Sequence, residues 1–520
     1  MYIFFAAAVV LRIASIGNLT AENADYQSDT RYLTIGETRG MIYDRNMKPL
    51  VNRAFYTMLT VNPTEAAMTV LKTELTEEDY AVVSAKAKTG RPFLFVCDYY
   101  SGDCADIKTT VVYDRYSDTD VAAHLIGYLD SEGNGVCGAE KAFEKILREN
   151  SGTVGIRYKS DANGKILGGN GFETADNNYA SSGGVVLTLD YDIQRVCENA
   201  MKWNNLEKGA VVVIDAETSE ILAMASNPVY DRNNLGSALS DENQPFFNRV
   251  LGAYPVGSVF KPVVAAAALE NGISENEVFC CNGFSEVSDV VFNCHKRSGH
   301  GALDMTDAMA VSCNMYYVSL GLETGRKEIL ETASQLGFGK ETTLAEGIVS
   351  ASGNLPKENS VDSSAALANL SFGQGELLAT PLQIACVYAA FANGGYYSEP
   401  TLVKGYADNN GILQNENEKT KTKVLTDSIC EKIMQMLKIT VEEGSGAMAD
   451  AMTGTVYGKT ATAETGKTDN GRKKVHTWFA GIYENDGNKY VIVVFRENGE
   501  YSSTDCAPVF RDIADGISGN

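Results

Sequence analysis

The sequence has few basic residues for its length. Its 520 residues include 44 lysines and arginines against 67 aspartates and glutamates, which gives a net charge of −23 at pH 7. A surface of this charge repels nucleic acid and anionic lipid headgroups, so we expect no nucleic-acid partner. With 44% apolar residues, the chain is nevertheless long enough for two or three domains with cores of their own.

A long apolar run is also missing. Residues 1–17 are almost wholly apolar except for Arg12, but a membrane span needs about 20 apolar residues and a basic cytoplasmic flank. Either the true start lies further upstream or this run is an export signal. A buried helix is less favoured because a mostly polar stretch, residues 20–30, follows at once. We predict an uncleaved signal anchor over residues 1–18 in the cell membrane, with Arg12 reaching toward an interface and the rest of the chain outside the cytoplasm.

The cysteines lack the spacing that zinc sites usually show. Eleven is an odd number, so at least one thiol is unpaired. Cys280, Cys281, Cys294, His295 and His300 form a tight group, and the two histidines have ligand-like spacing. Vicinal cysteines, however, lack the two-residue gap that lets both thiolates face one metal. We favour ordinary loop residues over a disulfide from Cys294 to one of the pair, and either over zinc; no metal or cofactor is expected.

The chain divides into two parts by composition. Residues 19–184 have a strand-rich pattern, including 54–61 and 93–97, and contain no serine-lysine or metal constellation. They close in the Gly/Asn/Ser-rich stretch 164–184, which is typical of a linker. We predict an N-terminal pedestal or dimerisation-like domain that holds the second part away from the membrane.

Residues 185–520 have a different pattern. Two β-rich runs at 209–214 and 220–226 surround a hairpin signal, and two more strands are predicted at 475–483 and 489–496. Mostly helical sequence lies between the two pairs. We therefore expect an α+β domain in which the first hairpin pairs with the last strands in one mostly antiparallel sheet flanked by helices.

The first candidate string is Ser258-Val-Phe-Lys261. Pro262 suits a first helical turn and Gly272 a helix stop, so the helix begins at about Ser258. Its apolar interior predicts burial on every face, and the three-residue spacing places Lys261 beside Ser258. A desolvated lysine has a lowered pKa and can deprotonate a serine nucleophile without a histidine. Taken alone, the string is better explained by a capping serine and a surface lysine, because a bare S-x-x-K often occurs by chance in a long chain.

The second string, Ser312-Cys-Asn314, puts a hydroxyl and a carboxamide in an apolar run. Such groups seldom lie in apolar surroundings without partners. Placed against Lys261, Ser312 would pass a proton to the leaving amine and Asn314 would hold the lysine and a substrate amide. A capping serine with a solvated asparagine is the alternative.

The third string begins at Lys459 and Thr460, in a strand-like segment. A cation with a neighbouring hydroxyl suits a substrate carboxylate. The backbone N–H of Thr462, with that of Ser258, would form an oxyanion hole. An exposed edge-strand lysine is the simpler alternative for this string by itself.

Together the strings resemble the S-x-x-K, S-x-N and K-T-G motifs of the penicillin-binding proteins. The segment Arg39-Gly-Met-Ile-Tyr-Asp-Arg-Asn46 is similar to the N-terminal signature of the class B, monofunctional enzymes. Further similar segments are residues 123–127, 138–141, 299–301, 371–375, 380–383 and 476–481. The resemblance covers nearly the whole chain.

The resemblance implies a membrane-anchored D,D-transpeptidase of peptidoglycan synthesis with a penicillin-recognising transpeptidase fold. Ser258 would attack the D-Ala-D-Ala end of a stem peptide, and an amine of a neighbouring stem peptide would resolve the acyl-enzyme into a cross-link. Lys459 and Thr460 would hold the terminal carboxylate, or that of a β-lactam that acylates Ser258. The first 180 or so residues resemble no glycosyltransferase module, so polymerisation would need a partner in the membrane.

One position departs from the family pattern, because Ala461 stands where the third motif has glycine. A methyl group there would crowd the approach of the strand to the nucleophile's helix.

Two other functions are alternatives to the transpeptidase. A serine β-lactamase or β-lactam sensor is disfavoured by the segment 39–46, and a catalytically idle cell-wall scaffold by the presence of every reactive side chain.

Overall fold

The structure is a computed structural model that describes residues 29–117, 120–167, 171–415, 420–469 and 471–519. The anchor predicted at residues 1–18 lies outside these described residues. Among the helices that are described, none combines the length and the apolar character that crossing a membrane requires.

Helices and strands alternate irregularly along the described chain. The α-helices are α1 (Glu65–Glu74), α2 (Glu77–Ala87), α3 (Ala123–Ile126), α4 (Gly138–Ala142), α5 (Glu144–Glu149), α6 (Tyr191–Trp203), α7 (Lys261–Glu270), α8 (Met305–Ala310), α9 (Asn314–Thr324), α10 (Arg326–Gln335), α11 (Ser364–Ser371), α12 (Pro381–Ala392), α13 (Asp427–Glu442), α14 (Ser502–Asp505) and α15 (Ala507–Ser518). The strands are β1 (Asp29–Thr38), β2 (Met41–Tyr43), β3 (Ala54–Val61), β4 (Phe93–Cys97), β5 (Ile107–Asp114), β6 (Gly152–Ser160), β7 (Glu173–Asn177), β8 (Gly184–Leu187), β9 (Gly209–Asp215), β10 (Ile221–Asn227), β11 (Tyr254–Pro255), β12 (Phe279–Cys281), β13 (Phe284–Val287), β14 (Val290–Asn293), β15 (Gly301–Leu303), β16 (Thr342–Ala345), β17 (Ile348–Ser350), β18 (Leu378–Ala379), β19 (Tyr396–Tyr397), β20 (Val403–Ala407), β21 (Leu413–Asn415), β22 (Thr422–Lys423), β23 (Thr455–Asp469), β24 (Arg472–Asn485) and β25 (Asn488–Gly499).

The chain folds into two compact units that are interleaved along the sequence. The first unit takes the described residues up to Gly40, then Asn52–Ser117 and Arg148–Ser182; the second takes Met41–Val51, Asp118–Leu147 and Gly183–Asn520. Two early segments thus belong to the second unit. The division into domains after residue 184 stays a prediction.

The first unit contains two three-stranded antiparallel sheets, ordered β1-β6-β7 and β4-β3-β5. The strands predicted at 54–61 and 93–97 are β3 and β4, and Leu59, Leu71 and Phe95 belong to the core beneath them. The stretch 164–184 is not wholly a linker, because its strand β7 pairs with β6 through Val154 and Asp176.

The second unit is built on a five-stranded antiparallel sheet, ordered β10-β9-β25-β24-β23. The predicted pairing is confirmed, because β9 of the first hairpin pairs with β25, for example Val212 with Val493. The turn between β24 and β25 has positive φ at Asp486 and Gly487, as a two-residue hairpin turn requires. Strands distant in sequence thus form one sheet.

Helices cover both faces of this sheet. α6 and α15 pack on one face, where Ala200, Phe510 and Ile513 join Val213 and Phe479 in a single buried cluster. α12 contacts β9, β24 and β25, and every residue of that helix is buried. Burial on both faces explains why β9 and the centre of β25 are almost uninterrupted apolar runs. This is the α+β arrangement predicted from sequence.

Candidate functional site

Ser258 lies in a tight helical turn that leads into a buried helix. A 3₁₀ turn over Gly257–Phe260 is followed at once by α7, and Pro262 occupies the first turn of α7. Lys261 through Ala268 are buried, and the helix ends at its C-cap Asn271, beside the predicted stop. Ser258 itself is half-buried. The hydroxyl therefore lies at the N-terminal end of a mostly apolar helix.

Three chain segments meet at this turn with almost no space between their backbones. Gly257 has φ +59° and donates its N–H to the Gly373 carbonyl at 2.9 Å. A Cβ atom at Gly373 would lie 1.9 Å from the Gly257 oxygen, and one at Gly257 would lie 3.2 Å from the Ala463 Cβ atom of β23. Glycine at both positions thus allows segment 371–375 and strand β23 to approach the turn that contains Ser258.

Lys261 is the centre of a hydrogen-bond network that joins the first two strings. Its Nζ donates to the Ser312 carbonyl oxygen at 2.8 Å, to Ser312 Oγ at 3.1 Å and to Asn314 Oδ1 at 2.8 Å. The residue is fully buried, and this burial lowers the pKa of Lys261 to about 7. A substantial fraction of neutral amine is therefore present near neutral pH, as a general base requires.

Ser312 has an unusual backbone conformation. It lies between α8 and α9 with φ +55°, in the left-handed region that a non-glycine residue seldom adopts. This conformation brings both its carbonyl and its hydroxyl oxygen to Lys261, while Cys313 serves as the N-cap of α9 and Asn314 is the first residue of that helix. Strain of this kind is concentrated at functional sites.

The expected contact between Ser258 and Lys261 is not a hydrogen bond here. Within the part of the chain that the structure describes, the Ser258 hydroxyl makes no hydrogen bond, and Lys261 is bonded to Ser312 and Asn314 instead. Catalytic hydrogen bonds often form only when substrate is bound.

The third string lies on β23, at the edge of the five-stranded sheet. Lys459 is fully buried and donates to the Thr460 carbonyl at 3.1 Å; burial and the nearby charge of Lys261 hold the pKa of Lys459 well below its usual range. The Thr460 hydroxyl lies 2.8 Å from Ser445 Oγ. Thr462 is exposed, and its hydroxyl donates to Ser502 Oγ at 3.4 Å. Lys261 and Lys459, which belong to separate strings, thus lie close enough for the charge of Lys261 to lower the pKa of Lys459.

Ala461 lies on the face of β23 that approaches the Gly257–Phe260 turn. Side chains alternate along a strand, so Lys459, Ala461 and Ala463 share one face, and Ala463 is the residue nearest to Gly257. Ala461 is only 2% exposed and is opposite Trp478 in β24. The methyl group is thus enclosed on the side where glycine was expected from the resemblance.

Sequence reasoning missed two features next to the site. Ser445, the partner of Thr460, follows α13 and had no motif to identify it. The second feature is the place of Cys313 in the cysteine–histidine group that was weighed as zinc ligands and ranked last: ligand atoms of Cys281, Cys294, His300 and Cys313 all lie within 4.8 Å of one another. All eleven cysteines are described and carry free thiols, so the disulfide considered for Cys294 is absent.

Comparison with known proteins gives one consistent result. The family described as the penicillin binding protein transpeptidase domain matches residues 209–515. The chain is 28% identical to the peptidoglycan D,D-transpeptidase FtsI of Escherichia coli strain K12, over 99% of this chain and 90% of that one. Its fold is similar to penicillin binding protein 3 of Mycobacterium tuberculosis in complex with aztreonam, with a TM-score of 0.68, 24% identity and coverage of 94% and 97%. It is also similar to a chain of a peptidoglycan synthase complex in which polymerization and crosslinking are coordinated, with a TM-score of 0.72, 24% identity and coverage of 100% and 97%.

Proposed function

The chain belongs to the penicillin-binding protein transpeptidase family, as a class B member, and on this premise we propose that it cross-links peptidoglycan by serine acyl transfer. The observation that carries the proposal is the buried Lys261 ammonium, held between Ser312 and Asn314 at the start of the helix that follows Ser258. A serine nucleophile, a base with a lowered pKa and two further polar side chains are the parts that acyl transfer requires.

In the first half-reaction, neutral Lys261 takes the proton of the Ser258 hydroxyl while Oγ bonds to the carbonyl carbon of the penultimate D-Ala. The C–N bond to the terminal D-Ala then breaks, and the proton returns to the leaving amine. The stem peptide remains as an ester on Ser258. The pKa of about 7 for Lys261 suits it to both the uptake and the return of this proton.

Ser312 is the residue that relays the proton. Two of the three acceptors around Lys261, the Ser312 carbonyl and Asn314 Oδ1, can only accept hydrogen bonds. The Ser312 hydroxyl can accept from an ammonium and donate to a neutral amine. It is therefore the one partner in this network that adapts when Lys261 changes charge, and it provides the path to the leaving amine.

The β23 segment holds the acyl donor. Lys459 and the Thr460 hydroxyl bind the terminal carboxylate of the stem peptide, or that of a β-lactam, through charge-assisted hydrogen bonds. The Thr462 N–H, with the N–H of Ser258, stabilises the oxyanion of the tetrahedral intermediate. The close packing of Ala463 against Gly257 supports this assignment because it fixes the distance between strand and turn.

In the second half-reaction, the amine of a neighbouring stem peptide attacks the ester, loses its proton through the same relay and restores the Ser258 hydroxyl. The substrates are thus two peptidoglycan stem peptides. We assign polymerisation of the glycan to a glycosyltransferase partner in the membrane, which the similarity to a chain of a peptidoglycan synthase complex supports. The catalytic unit lies outside the cytoplasm on an N-terminal anchor in the cell membrane.

A fluorescent penicillin tests the proposal directly. Wild-type protein should form a stable adduct, and mass spectrometry should map it to Ser258. Ser258→Ala should not label, whereas Ser240→Ala, which changes an exposed serine, should label at the wild-type rate.

Two outcomes would replace this function by another. Rapid hydrolysis of bound penicillin would identify a β-lactamase rather than a transpeptidase. Absence of labelling in the wild type, together with normal growth of a strain that carries Ser258→Ala, would identify a cell-wall scaffold.

A further inference from the structure

Four metal-ligating side chains from the segment 281–313 converge beside Ser312 and Asn314. The ligand atoms of Cys281, Cys294, His300 and Cys313 all lie within 4.8 Å of one another. The three thiols belong to residues no more than 2% exposed, and none forms a disulfide. If these thiols are deprotonated, burial of this kind requires a cation to compensate their charge.

The two sulfur–nitrogen distances at His300 are those of a tetrahedral zinc site. In such a site a sulfur at about 2.3 Å and a nitrogen at about 2.0–2.1 Å from the metal lie about 3.6 Å apart. His300 Nδ1 lies 3.5 Å from Cys294 Sγ and 3.7 Å from Cys281 Sγ. Both distances therefore match the edge of a zinc tetrahedron without rearrangement.

The local backbone places these ligands. Cys281 ends β12, Cys294 follows β14, and His300 precedes β15, which pairs with β12. Gly283 and Gly299 have positive φ and let the intervening loop fold close to β12, since a Cβ atom at Gly299 would lie 2.2 Å from the Cys281 oxygen.

The fourth ligand comes from the second catalytic string. Cys313 is the N-cap of α9, where the helix dipole stabilises a thiolate. The vicinal pair that argued against zinc is thus no obstacle, because Cys280 is exposed and takes no part in the cluster.

We propose that Cys281, Cys294, His300 and Cys313 bind one Zn²⁺ ion. Three thiolates and one imidazole form a closed set of four ligands, which is typical of structural zinc and leaves no position for a substrate. Because Cys313 stands between Ser312 and Asn314, the ion holds the segment that bonds Lys261. Cys313 is therefore a positioning residue, and this second step rests on the proposed function.

Metal analysis of the purified full-length chain tests the site. One zinc per chain is expected for the wild type and for Cys280→Ser, and none for Cys281→Ser, so two adjacent cysteines serve as variant and control. Because a variant can lose zinc by failing to fold, the wild type is also stripped by a chelator and reloaded with Co²⁺. Visible absorption of tetrahedral Co²⁺ bound to thiolates is expected. Substoichiometric zinc, equal loss of zinc from Cys280→Ser, or a disulfide among the three cysteines in protein purified without added oxidant would overturn the proposal.

Penicillin acylation tests the positioning role separately. Removal of zinc should lower the acylation rate constant at saturating penicillin roughly tenfold or more, and added zinc should restore it. The penicillin dissociation constant should not change, because the residues proposed to bind its carboxylate, Lys459 and Thr460, lie on β23 and not in the segment 312–314. An unchanged rate constant in zinc-free, folded protein would contradict the positioning role but not the zinc site. Either result leaves the proposed function standing as long as penicillin still acylates Ser258, whereas loss of all labelling from the zinc-loaded wild type would contradict that function.

Discussion

Two polar regions share the three residues 312–314, and they differ in how their atoms are satisfied. Around Lys261, a cation of the protein itself is bonded to the oxygens of Ser312 and Asn314 at 2.8–3.1 Å. Around Cys313, three thiols and an imidazole are gathered within 4.8 Å with no cation of the protein among them. The first region is satisfied by hydrogen bonds within the protein, whereas the second is the set of ligands proposed to bind Zn²⁺. Residues 312–314 thus connect the Lys261 network to the proposed zinc site.

The largest effect is expected from Lys261→Met, which removes the cation but preserves the apolar volume of the helix. Acylation by a fluorescent penicillin should slow by about 10²–10⁴-fold, the usual contribution of a general base. Lys327→Met changes an exposed lysine and should have no effect. Acylation of Lys261→Met at the wild-type rate would show that the first region does not depend on its cation.

Asn314→Ala should have the next largest effect. It removes one charge-assisted hydrogen bond to Lys261, worth about 1.5–3 kcal/mol, so acylation should slow by about 10–100-fold. Asn276→Ala, at an exposed position, is the control. Stopped-flow measurement of the acylation rate constant distinguishes this result from weaker binding; a change in binding alone would place Asn314 with the substrate rather than with Lys261.

Thr460→Val tests the proposed carboxylate-binding residues on β23, which belong to neither of the two polar regions. Loss of its hydroxyl removes the bond to Ser445 and one bond to the carboxylate, each worth about 0.5–1.5 kcal/mol. Penicillin should bind roughly tenfold more weakly, with a smaller change in the acylation rate constant. Thr343→Val, at an exposed strand position, should bind normally. The dissociation constant from competition labelling checks this prediction.

The smallest effect is expected from Ala461→Gly. Removing the enclosed methyl group should speed penicillin acylation by less than about tenfold, since relief of one methyl contact is worth on the order of 1 kcal/mol. Glycine should also lower the free energy of unfolding by about 0.5–1 kcal/mol, as should Ala302→Gly in the exposed strand β15. An unchanged or slower acylation rate would mean that β23 already accommodates the methyl group.

The strands and the helix that were predicted correctly from the sequence are those that a local pattern of residues defines. The strands at 209–214 and 489–496 were identifiable because short runs of β-branched residues bounded by turn residues indicate buried strands. Likewise, the helix after Ser258 followed from Pro262, Gly272 and the apolar residues between them. These features need only neighbouring residues to define them.

The features that escaped prediction depend on where distant segments meet. Cys313 joins Cys281 only because two glycines bend the intervening loop, and linear spacing carries no record of that curvature. The left-handed conformation of Ser312 is equally invisible, since serine does not favour it. The pairing of Thr460 with Ser445 depends on how α13 packs against β23.

The interleaving of the two compact units constrains any attempt to produce the catalytic part alone. Strand β2 lies near the start of the chain, yet it pairs with β8, which in turn pairs with β20. A fragment that begins at residue 185 would lack β2 and would leave one side of β8 with unpaired backbone groups. Exposed strand edges of this kind promote association between chains. A recombinant fragment should therefore retain both early segments of this unit, residues 41–51 and 118–147, in their native order before β8.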